Sequence, residues 1–120
     1  MIKYHNENSA NTVAEVPAGF VKISSTDDII DIIGEVGLQE CSRVIIHSES
    51  FSSEFFNLGS GVAGEILQKF SNYRMRLAIV GDFSNLKGNS WKDFIRESNR
   101  GRTVTFEGIV EDALTLLTDK

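Results

Sequence analysis

From Arg43 onward the chain repeats one figure, a short apolar run followed by a longer segment whose apolar residues recur at helical spacing. Arg43 to His47, Leu77 to Val80 and Thr103 to Phe106 are the runs. Phe55 to Phe70, Trp91 to Ser98 and Ile109 to Leu117 read as helices, each following one of them. Strands alternating with helices leave few solutions, because each parallel pair needs a right-handed crossover that lays a helix on the sheet. Upstream, Ile2 to Tyr4, Thr12 to Val16 and Phe20 to Ile23 are β-prone pieces punctuated by Asn/Ser-rich or Pro-Ala-Gly stretches. Ser25-Thr26-Asp27-Asp28 then opens a helix carried by Ile29, Ile30, Ile32, Ile33 and Val36 as far as Gly37. The expected fold is a single α/β domain over residues 1–120, a mixed sheet with central parallel strands and about four helices, in the order β-β-α-β-α-β-α-β-α.

A chain of 120 residues, 41% of them hydrophobic, can bury one core. No apolar run approaches the roughly 20 residues of a membrane span, and MIKYHNENSAN lacks a signal-peptide apolar region. The expectation is a cytoplasmic protein with no membrane partner. Cys41 is the single cysteine and has no internal disulfide partner; it reads as a small core residue ahead of a strand. A net charge of -5 disfavours nucleic acid, whose binding draws on clustered Lys and Arg. The small basic clusters, Arg74 with Arg76 and Arg96 with Arg100 and Arg102, fall where helices end and the dipole favours cations.

Gly59-Ser60-Gly61-Val62-Ala63-Gly64 has the G-x-G-x-x-G spacing of a dinucleotide loop, with Asp82 a plausible distance beyond. Such a loop must leave its strand directly. Here Ser48 to Leu58 intervenes, and if Ser53 caps a helix holding Phe55, Phe56 and Leu58, the glycines sit on helical turns and serve close packing instead. The carboxyl ends of the strands, where open α/β sheets bind ligands, carry Glu49, Asp82 and Glu107, acids that repel a bare phosphate. No cofactor and no metal is predicted. Asp82 in Gly81-Asp82-Phe83-Ser84-Asn85 fits turn chemistry better than a phosphoacceptor site, since the acidic pair and lysine of receiver domains are missing.

Phe55-Phe56-Asn57-Leu58, Ala63 to Phe70, Asn72-Tyr73-Arg74, Leu77 to Phe83 and Asp93 to Gly101 together resemble the bacterial domain of unknown function 4180 family, from about residue 13 onward. That family implies no established activity. The element order also resembles the STAS domain of anti-sigma-factor antagonists and sulfate-transporter tails. The STAS resemblance implies a phosphorylatable serine at the start of the helix after the middle strand, and Ser60 is the nearest match, although Leu58-Gly59 replaces the expected Asp-Ser.

Two functional readings follow. The first is a non-enzymatic regulatory or interaction domain whose second helix and neighbouring loops meet a protein partner or a second copy as a homodimer, with Phe51, Phe55 and Phe56 as anchor. Arg96, Asn99 and Arg100 add a second polar candidate surface. The alternative is a small-molecule or metal-binding protein, or an enzyme, with its site at Glu49, Asp82, Asn85 and Glu107. No nucleophile and base are paired by spacing, so no reaction is named.

Overall fold

A computed structural model describes residues 2–86 and 88–118. Five strands form one sheet in sequential order: β1 (Lys3–His5), β2 (Val13–Val16), β3 (Arg43–His47), β4 (Arg76–Val80) and β5 (Val104–Glu107). β1 is antiparallel to β2, and every later pair is parallel. Sequential order with right-handed crossovers forces α1 (Thr26–Leu38), α2 (Val62–Asn72) and α3 (Asn89–Gly101) onto one face. They pack there over Ala14, Val44, Ile46, Leu77 and Ile79. α4 (Val110–Thr118) takes the opposite face, setting Ala113 and Leu117 against Val13, Ile45, Ala78 and Val80. β3 and β4 are therefore buried on both sides, which is why they read as unbroken apolar runs. The expected class and element order are those observed.

Three boundaries differ from the sequence reading. The second helix starts at Val62 rather than near Phe55. Between β3 and α2 the chain bonds sideways: Ile23 N–H donates to Ser50 O and Ser52 N–H to Ile23 O, so Phe20 to Ile23 contributes one bridge rather than a strand. Turns then bring Phe51 against Phe55, with ring centroids 4.2 Å apart. Finally α3 runs past Ser98 through Gly101, and Arg102, at φ +65°, takes the left-handed position that ends it.

The outer edge of β5 is closed by side chains of α3. Asn99 Oδ1 accepts the Phe106 N–H at 2.7 Å, and Ser98 Oγ–H donates to Val104 O. An open strand edge is a template for pairing with other chains. Asn99→Ala leaves a part-buried N–H without its acceptor, so it should lower stability by about 1–3 kcal/mol and raise the rate of aggregation on warming. Unchanged urea and light-scattering midpoints would count against this role. The neighbouring cations stay local: Arg100 pairs with Glu97 at 3.6 Å and Arg96 with Asp93, all largely exposed.

Candidate functional site

The glycine loop holds no phosphate cradle. Gly61 caps α2 in the left-handed region at φ +83°, which explains why that position is glycine. Gly64 lies within the first turns of α2, yet a Cβ built there meets nothing within 4 Å. The expected close packing at Gly64 is absent, because its face opens on a groove. Ser60 sits before the helix, not in it. Its Oγ–H faces Glu54 O at 2.8 Å and Asn57 O at 2.7 Å, and its oxygen accepts the Val62 N–H at 3.3 Å. A carboxylate there would face two carbonyl oxygens and donate nothing. Ser60→Asp should therefore destabilise the loop by about 1–2 kcal/mol, read as a fall in urea midpoint, and Ser60→Ala by less.

The groove runs between α2 and α3 over Val104 and encloses about 410 Å³. Gly64, Leu67 and Ser71 line one wall; Phe94, Ser98 and Gly101 line the other. Each set is spaced three or four residues apart, one helix face per wall. Small residues open the groove, while Leu67 and Phe94 make it apolar. Of the three aromatics expected at the surface, Phe51 and Phe55 are 3% and 0% exposed, buried within an aromatic cluster with Trp91. Only Phe56 keeps an accessible part, and its carbonyl accepts the Trp91 Nε1–H at 2.8 Å.

At the carboxyl ends of the strands, Glu49, Asp82 and Asn85 are exposed, and Glu107 is half-buried beside α4. No hydrogen bond joins any two of these four, and Asp82 is held below its usual range by Ser84, whose N–H it accepts at 3.0 Å. Cys41 is buried, its Sγ–H set between Thr12 O and Arg43 O, both at 3.3 Å.

A different polar set gathers on the α4 side of the sheet. Glu15 points to the same face as Val13, and its two oxygens meet His5 Nε2 at 2.8 Å and His47 Nε2 at 2.7 Å. One half-buried carboxylate thus bridges three strands. No hydroxyl or thiol among the described residues hydrogen-bonds either imidazole, and no group of three His, Cys, Asp or Glu among them is arranged to hold a metal ion.

Glu15 and Glu107 titrate in opposite directions. Burial pushes Glu15 up, but hydrogen bonds from His47 and His5 outweigh it and hold the carboxyl below its usual 4.5. Burial, then repulsion from Asp112, lifts Glu107 above 4.5. The Glu15 contribution is present above 4.5 and lost as pH falls through the lower folded value. The Glu107 contribution is present below 4.5 and lost as pH rises through the raised value. Urea midpoints across pH should show Glu15→Gln flattening the acid limb, and Glu107→Gln stabilising at neutral pH with a gain that vanishes in acid.

A family model for a domain of unknown function, DUF4180, matches residues 8–117. The chain belongs to this family. Comparison with curated proteins and with solved structures finds no match. The STAS resemblance of this DUF4180 domain accordingly rests on its element order. No helix among the described residues is long and apolar enough to cross a membrane.

The DUF4180 sequence did carry a signal for the Glu15 bridge. Alternation in Val13-Ala14-Glu15-Val16 places an acid on the face of Val13, and both histidines of the chain occupy strand positions at that same face. The groove left no such trace, since only tertiary placement separates α2 from α3.

Proposed function

We propose that the DUF4180 domain is a non-enzymatic regulatory module that docks a helix of a partner protein between α2 and α3. The observation that supports this reading is the open groove at Gly64. Gly64 lies in the first turn of α2, and a Cβ there would meet nothing within 4 Å, so no close contact within the domain calls for glycine. Its consequence is width. Two walls with small residues at helical spacing, and Leu67 and Phe94 as apolar surface, suit a third helix laid between them. Arg96 and Arg100 are not among the residues that line this groove and pair locally with Asp93 and Glu97.

Gly64→Phe tests the reading, because the ring enters open space and blocks the groove while leaving the fold intact. Proteins captured by the wild-type domain and lost by Gly64→Phe at equal thermal midpoint would support it. Capture unchanged by Gly64→Phe would end it, and a dimer dissociated by Gly64→Phe would make the groove a self-association surface.

A further inference from the structure

Beyond that groove, a second surface lies where α1 meets the turn before it. Phe20 stands 51% exposed at the tip of a turn closed by its own N–H on Pro17 O at 3.1 Å. Beside it, Val16, Val21 and Ile32 floor a crevice of about 140 Å³, room for one large apolar side chain. The charge around this crevice is predominantly acidic. α1 holds Asp27, Asp28, Asp31 and Glu35 and no Lys or Arg. Asp27 and Asp28 lie in the first turn, where the dipole favours acids, and Asp28 also accepts the Ser24 and Ser25 N–H groups.

Asp31 and Glu35 have neither support. They border the crevice, follow Asp27 at successive four-residue steps on one face, and form no ion pair among the described residues. Like charges at that spacing repel. Leu38, 83% exposed, ends the same face one turn further on. Among the described residues that line the crevice, Lys22 is the one cation.

We propose that this crevice and the acidic face of α1 dock a basic segment of a partner protein. The segment places one apolar side chain beside Phe20 and two Lys or Arg opposite Asp31 and Glu35. The charge pattern selects the occupant: an acidic or neutral segment fills the crevice equally well but leaves the repulsion along α1 unrelieved. This surface shares no residue with the α2–α3 groove, so either reading can fail without the other.

The probe is a synthetic peptide alternating lysine and leucine, titrated calorimetrically against the whole chain, with a glutamate–leucine peptide as control. Asp31→Asn with Glu35→Gln, and separately Phe20→Ala, change exposed side chains and should each weaken lysine–leucine binding about tenfold. Glu111→Gln with Asp112→Asn, on α4, should leave it unchanged, and added salt should weaken it. Equal losses from the α4 pair, no loss from Phe20→Ala, or equal binding of the glutamate–leucine peptide would each overturn the proposal. So would a wild-type dimer that Phe20→Ala dissociates, since the occupant would then be a second copy.

Discussion

Phe55→Ala should lower the stability of this domain by about 3–5 kcal/mol, the range for truncating a fully buried aromatic. Phe55 is 0% exposed and central to its cluster: stacked on Phe51, edge-on to Phe56 at 5.1 Å and tilted against Trp91 at 6.0 Å. Those contacts tie the irregular stretch after β3 to the first turn of α3, and Trp91 passes them on to Phe94 and Phe106. Against a total of about 5–15 kcal/mol for a domain, the loss is a large fraction of the whole. A urea midpoint and the near-ultraviolet signal of Trp91 would both report it, and a change under about 1.5 kcal/mol would show that the cluster relaxes to fill the hole. Phe56→Ala should do less harm, because that ring is already partly in water. An interface test on these aromatics therefore belongs at Phe56, where loss of binding is not confounded with loss of fold.

Gly81→Ala is the second large effect, of about 3 kcal/mol, at the upper end for overpacking. Its φ is not positive, so conformation does not explain the glycine. Space does: a Cβ at Gly81 would lie 2.1 Å from Ser48 Oγ and 2.6 Å from Ser48 Cβ. The hydroxyl can rotate away, but Cβ moves only with the backbone. That backbone is pinned, since His47 and Val80 are register partners and the Gly81 N–H donates to Glu107 O at 3.0 Å. Combining Gly81→Ala with Ser48→Gly removes the obstructing atoms and should recover most of the loss, a coupling that denaturation of the four proteins in the cycle would measure. Additive losses in the double variant would place the strain elsewhere.

How far the sequence could be read depended on where each element finds its partners. Arg43 to His47 declares itself as a strand because both its faces are buried, and the α1 isoleucines declare a helix because one face is. Phe51 to Leu58 misleads, since its aromatics carry helical spacing while their real partner, Trp91, is distant in sequence. The Asn99 contact with β5 is equally hidden: its side chain reads as one more polar group on a helix until the strand edge that needs an acceptor is beside it. The carboxyl-end acids stand out by position alone, whereas Glu15 acquires its significance from the register that brings His5 and His47 to it.

The bonds from Ser98 and Asn99 to β5 also fix one wall of the groove to the main chain of the sheet. The opening beside Gly64 is then held on one wall by two side-chain bonds to the sheet and left free on the other by the absence of a side chain at Gly64. A partner helix would find the cleft preorganised, spend little binding free energy on ordering it, and release it unchanged on departure.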